Sequence, residues 1–255
     1  MRSQRETDYL DQIEFYNAYK DVKITPKPLP DYSLEDKVKW IFSGHGYHWV
    51  EFDFVMPNWL NESTHANDYY VAHRDIFSGE GTHHGWSSCV LHGIDTDKTN
   101  VWQTYGYESE PIYKWTELGC KTKKIKTFFD CVFPAEQYAR IRFMKLAAGG
   151  WISPHNDFSP MISLDNLFDY PLPINIAIDH PDECYMTIKD NGCVPFKSNS
   201  AFMVNIFNDH SVINNSSKDR IHLIAHCYLG NKRKEFCELI VSSYEKQHAK
   251  IQSQV

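Results

Sequence analysis

Residues 140–157 read RIRFMKLAAGGWISPHND, and the fold is decided by how this stretch is read. Residues 138–146 alternate as a strand does, Gly149-Gly150 interrupts the pattern, and His155-Asn156-Asp157 follows. On extended backbone, side chains two residues apart point the same way, so His155 and Asp157 converge on one point. Two histidines and a carboxylate on one face of a divalent transition metal leave its other positions open. The second histidine must then come from another strand.

Downstream of this stretch, short strand candidates recur between turn residues. Residues 171–179 (PLPINIAID) alternate, 184–189 follow, and Asn191-Gly192 is a hairpin turn signal. Residues 201–207 and 220–228 complete the series. Several short strands with regular turns predict a chain that is mainly β with flanking helices, a double-stranded β-helix (jelly roll, cupin-like) whose facing sheets enclose a pocket. His210 falls at the end of the strand AFMVNIF, where a ligand can leave the sheet, and three strand candidates separate it from His155.

H-x-D alone is a weak signal, because the chain contains it three times. In His180-Pro181-Asp182 the proline and its neighbours read as the turn after a strand, which keeps the side chains from converging. His73-Arg74-Asp75 lies outside the strand series and reads as a structural or surface pair. His155-Asn156-Asp157 with His210 is the set placed on the expected jelly-roll wall. Arg220, ten residues past His210, opens the strand RIHLIAH. A buried guanidinium is costly unless it meets an anion, and its fork matches a carboxylate. His222 and His226 share its face and read either as groups supporting the site or as ordinary core histidines.

Towards the N-terminus, apolar residues at helical spacing predict a helix over 8–19. Pro26, Pro28 and Pro30 force an extended segment, and Ser33 with Asp36 forms a capping pattern for a second helix that Gly44 can stop. Residues 48–56 and 86–91 read as strands. The division expected is a single domain over 1–255: mixed support over 1–80, the core over 81–230 and a helical tail over 231–255. A net charge of −7 disfavours nucleic-acid partners, and the basic cluster at 121–126 reads as a solvated loop. Seven cysteines, an odd set without C-x-x-C, suggest neither a disulfide framework nor a zinc ribbon. The start MRSQRETDYLDQ lacks an apolar core, and no stretch approaches the roughly 18 apolar residues of a membrane span, so a cytoplasmic protein is expected.

With these residues in view, the chain resembles the aspartyl/asparaginyl β-hydroxylase-like family of iron(II)- and 2-oxoglutarate-dependent oxygenases, from about residue 86 to 228. The resemblance is carried by RIRFMKLAAGGWISPHND and FNDHSVINNSSKDRIHLIAH. It implies that His155 and His210 ligate iron, that Arg220 binds the distal carboxylate of 2-oxoglutarate, and that Trp86 stands beside that cosubstrate. Members acting on aspartyl and asparaginyl side chains lack an acidic ligand, whereas Asp157 is present here, as in the small-molecule hydroxylases. Where the peptide hydroxylases carry an arginine and a histidine, this chain has Pro173 and Asn175, and Met144 replaces a serine. Asn175 retains a hydrogen-bond donor for the cosubstrate. The expected reaction is hydroxylation of an unactivated C–H bond, with Fe(II), 2-oxoglutarate and O2, on an amino acid or similar small carboxylate. A peptide or protein side chain is the alternative substrate. Arg140 and Arg142 share a strand face that can meet a substrate carboxylate, and His83, His84 and Trp86 in GEGTHHGW are expected at the pocket rim. Two readings compete with this one: a zinc hydrolase or isomerase on the same ligands, and a non-catalytic jelly-roll binding module.

Overall fold

The computed structural model describes residues 4–25, 27–73, 83–157 and 163–253. Among them the helices are α1 (Gln4–Tyr19), α2 (Leu34–Trp40), α3 (Leu60–Ser63), α4 (Glu117–Lys121), α5 (Lys123–Cys131) and α6 (Arg233–Gln252). The early strands are β1 (Trp49–Glu51), β2 (Val71–Ala72), β3 (His83–Gly93), β4 (Lys114–Trp115) and β5 (Gln137–His155). The later ones are β6 (Leu172–Asp179), β7 (Cys184–Ile188), β8 (Gly192–Cys193), β9 (Ser200–Val204), β10 (His210–Asn214) and β11 (Arg220–Tyr228). No helix among the described residues is long and apolar enough to cross a membrane.

The pairing order is β1-β9-β6-β11-β5-β10-β7-β8, with β3 along the other edge of β5. β5 is the hinge of this arrangement. Its first part pairs with β11, from Tyr228↔Gln137 to Arg220↔Leu146, and its last part pairs with β10 at Ile213↔Trp151 and His210↔His155. One strand thus belongs to two layers, and the sheet curls into the facing walls of a double-stranded β-helix. Strand alternation sorts the side chains. Ile141, Phe143, Leu223 and Ala225 face outward to a core shared with Val38, Phe236, Ile240 and Tyr244 from α2 and α6. Leu146, Ile152, Ala177, Met186, Ile188, Phe202, Val204 and Val212 fill the space between the walls. α1 covers the outside of the second wall, where Tyr9 packs on Trp151 at 4.9 Å and Gln12 Nε2 donates to Ser211 Oγ at 3.2 Å.

Several expectations are corrected here. Gly149-Gly150 does not end the strand but bends it: Gly149 takes φ +71°, and a Cβ on Gly150 would sit 2.7 Å from the His84 carbonyl oxygen. The strand expected over 201–207 stops at Val204, and His210 begins β10 rather than ending β9. The basic cluster at 121–126 is helical, because α5 buries Ile125, Phe128 and Phe129 on one face while its lysines stay outside. The strand expected over 48–56 shrinks to β1. Ser33 caps α2 by accepting from Asp36 N–H, yet Gly44 is no stop, since the backbone winds on past Trp40 as a π-turn through His45. The Asn191-Gly192 signal does mark a hairpin, closed by Ile188↔Gly192.

Candidate functional site

His155 and His210 face each other across the β5–β10 pairing. Four residues of β5 (Ile152 to His155) oppose three of β10 (Val212 to His210), a bulge that restores His155 to the inner face. Their rings lie 4.4 Å apart, and His155 Nε2 is 3.6 Å from Asp157 Oδ1. Among the described residues His155, Asp157 and His210 form a group able to hold a metal, with ligand atoms all within 4.8 Å of one another.

The donor chemistry fits a divalent metal. His155 Nδ1 is 2.7 Å from the Ser153 carbonyl and His210 Nδ1 is 3.0 Å from the Asn208 carbonyl. A carbonyl only accepts, so each Nδ1 carries the proton and each Nε2 keeps its lone pair for the metal. Burial, and then the neighbouring His155, push the His210 pKa down to about 4, which keeps the ring in the neutral, ligating form. Asp157 is anchored through its backbone N–H to the Ile206 carbonyl. Asn156, between the first two ligands, donates to Asp209 Oδ1 at 2.9 Å, tying that loop to the residue just before His210.

Inside the walls, Arg220 is 4% exposed. Burial holds its guanidinium below the ordinary arginine range, and its Nε has no acceptor among the described residues. Such a group fits the distal carboxylate of 2-oxoglutarate. Trp86 packs against the inner cluster, and its indole N–H is buried without an acceptor among the described residues. Asn175 is buried on β6, opposite Ile224 of β11 and Phe202 of β9. Pro173 lies opposite His226, and Met144 opposite His222.

Arg140 and Arg142 also point inward from β5. Arg142 is 6% exposed and donates from Nη1 to the Thr99 carbonyl at 2.5 Å. Arg140 reaches the same oxygen at 3.5 Å. Burial holds both below the ordinary arginine range, and for Arg142 the neighbouring Arg140 charge adds to the effect.

His84 is turned the other way, because its ring packs on Trp151 at 4.7 Å, on the face that α1 covers. Its neighbour His83, which the sequence did not distinguish, is the one beside the candidate ligands. The His83 ring is 5.6 Å from that of His155, and His83 Nδ1 accepts from Ser153 N–H at 3.2 Å. Of the other H-x-D copies, His73 pairs with Ser88 Oγ and packs on Trp86, while Arg74 and Asp75 lie outside the described residues, as do residues 79–82 of the expected rim. His180 turns into the interior, to His222.

No protein of curated function matches the chain in sequence. In structure it is similar to a Pseudomonas putida prolyl-4-hydroxylase, at 11% identity and a TM-score of 0.41 over 76% of this chain and 98% of that one. It is similar to a 2OG-Fe(II) oxygenase family oxidoreductase from Burkholderia pseudomallei, at 10% identity and a TM-score of 0.44 over 78% and 92%. A Trichoplax adhaerens prolyl hydroxylase, solved with a peptide fragment of hypoxia inducible factor, is 11% identical, with a TM-score of 0.43 over 79% and 91%. The family described as aspartyl/asparaginyl beta-hydroxylase matches residues 74–228, more than half of the chain. By that match the protein belongs to the aspartyl/asparaginyl β-hydroxylase family, and it is an iron(II)- and 2-oxoglutarate-dependent oxygenase.

Proposed function

We propose that the protein hydroxylates an unactivated C–H bond of a small carboxylate, an amino acid or a similar compound. In this reading His155, Asp157 and His210 hold iron, and Arg220 holds the far carboxylate of 2-oxoglutarate, with Asn175 and Trp86 along the cosubstrate. When bound, iron(II) with 2-oxoglutarate and O2 supplies the oxidising power for C–H hydroxylation. The chain's own residues supply the geometry. The two histidines offer Nε2 lone pairs set by their Nδ1 bonds, and Asp157 would supply the carboxylate donor in the place that chloride would need, which would favour hydroxylation over halogenation. The apolar inner cluster lines the space between the walls, where it would limit the access of water.

The observation carrying the substrate class is the pair Arg140 and Arg142. Two inward guanidiniums share one carbonyl acceptor, and among the described residues neither has a carboxylate in salt-bridge contact. A buried guanidinium without a counter-ion is costly, and a substrate carboxylate supplies one. The cytosol suits such an enzyme: its seven cysteines are all unpaired, as in a reducing compartment.

The test is succinate release from 2-oxoglutarate by iron-loaded protein across a panel of free amino acids and small carboxylates, with mass spectrometry for one added oxygen. Arg142→Met should lose turnover of whichever compound is active while still binding 2-oxoglutarate. If aspartyl or asparaginyl peptides alone stimulate succinate release, the small-carboxylate reading is wrong.

A further inference from the structure

Arg220 is held by a chain of hydrogen bonds that runs in one direction. Its Nη2 lies 2.6 Å from His222 Nδ1, His222 Nε2 lies 2.8 Å from His180 Nδ1, and His180 Nε2 lies 2.9 Å from the Cys184 carbonyl. The proton positions follow from the two ends. Arginine only donates, so His222 Nδ1 accepts and its proton sits on Nε2. His222 Nε2 then donates to His180 Nδ1, which leaves the His180 proton on Nε2, facing a carbonyl that only accepts. Both ends demand the same tautomer, and every ring nitrogen in the chain is used.

The surroundings keep both rings neutral. Burial and then the Arg220 charge push His180 down to about 4, and the same causes push His222 well below the ordinary imidazole range. Phe196 walls the pair, with ring centroids 4.7 Å from His222 and 5.5 Å from His180. A histidinium at either position would place a second cation against the guanidinium. What the chain accomplishes is geometric: one edge of the fork is committed to His222, while Nε has no acceptor among the described residues.

We infer that His222 and His180 are positioning residues that fix the guanidinium plane of Arg220, so that its uncommitted edge is presented to the distal carboxylate of the 2-oxo acid and selects a dicarboxylate over a 2-oxo monocarboxylate. This inference rests on the reading of Arg220 as the anchor for that carboxylate, and the experiment separates the two.

Two measurements test it. In the wild-type protein, 15N NMR of the imidazole rings should show His222 and His180 both as the Nε2–H tautomer near neutral pH; an Nδ1–H ring or an imidazolium at either position overturns the chain. Anaerobic titration of the Mn(II)-loaded protein then gives dissociation constants for 2-oxoglutarate and for 2-oxobutyrate, which lacks the distal carboxylate. Leaving buried hydrogen-bonding groups unpaired weakens binding by about tenfold or more. His222→Leu should therefore weaken 2-oxoglutarate by about that factor while leaving 2-oxobutyrate and Mn(II) affinities unchanged. His222→Asn, which returns an acceptor near the Nδ1 position, should recover most of the loss, and His180→Leu should cost less than His222→Leu. An Arg220→Ala protein with unchanged 2-oxoglutarate affinity would sink the reading of Arg220 itself. Loss in Arg220→Ala but none in His222→Leu, or equal loss for both 2-oxo acids, would overturn the positioning role alone.

Discussion

At the scale of single residues, the candidate ligands depend on neighbours that touch no metal. His83 accepts the Ser153 N–H, and the Ser153 carbonyl accepts the His155 Nδ1–H, so one backbone unit links the two rings. Groups that orient metal-binding histidines matter by about tenfold to a hundredfold in affinity. His83→Ala is accordingly expected to weaken Fe(II) binding by about tenfold, measured by competition with a chromogenic chelator, whereas His84→Ala, on the opposite face, should not change it. Equal effects from the two would refute the assignment of faces. Asp157→Ala should weaken Fe(II) more than His83→Ala does, because it removes a donor rather than a donor's support. Its side chain is half-exposed, so the same substitution should leave the melting temperature within a degree or two. A variant that keeps full iron affinity would remove Asp157 from the site.

At the scale of elements, β5 depends on two glycines for two different reasons. Gly149 has open space around it but sits at φ +71°, in the left-handed region that costs an L-residue roughly 1 kcal/mol. Gly150 is confined instead: an added Cβ would meet the backbone oxygens of His84 at 2.7 Å and Ala147 at 2.9 Å. Those atoms belong to the β3–β5 pairing and cannot rotate away as a side chain would. Gly150→Val should thus destabilise by roughly 1–3 kcal/mol or more, lowering Tm by several degrees. Gly149→Ala should cost about 1 kcal/mol. Calorimetry on the two variants checks the order, and a Gly150 variant as stable as wild type would mean that β3 and β5 separate at the bend without cost. Because β5 carries Arg140 and Arg142 before the bend and His155 after it, the Gly150 variant should also lose iron affinity. Each half of the strand was readable from its own alternation. The continuity was not, since a Gly-Gly pair is the same local signal whether it ends a strand or bends one.

At the scale of the whole molecule, several histidines are buried neutral, and this gives stability a defined pH dependence. Burial pushes His92 and His180 down to about 4, and it also holds His222 well below the ordinary imidazole range. The unfolded chain titrates these groups near 6.5, so between about 4 and 6.5 the unfolded state binds more protons than the folded one. Stability must then fall as pH drops through that window, by up to about 1.4 kcal/mol per pH unit for each such group. Urea midpoints of the metal-free protein at pH 7.5, 6.0 and 5.0 should decrease in that order, and a flat profile would show that these histidines are charged or solvated in the folded state. Among the described residues the amino-acid sequence by itself determined the strand alternation, the cap at Ser33 and the convergence of His155 with Asp157. These are short-range properties: period-two geometry and turn chemistry act over a few residues. Only the tertiary structure decided that one strand serves both walls, that His83 and not His84 stands by the candidate ligands, that the lysines at 121–126 ride on helices, and that His180 meets His222, 42 positions further along the chain. Those outcomes follow from bulges, which reverse the face a residue presents, and from packing between distant segments, and neither leaves a periodic trace in the chain.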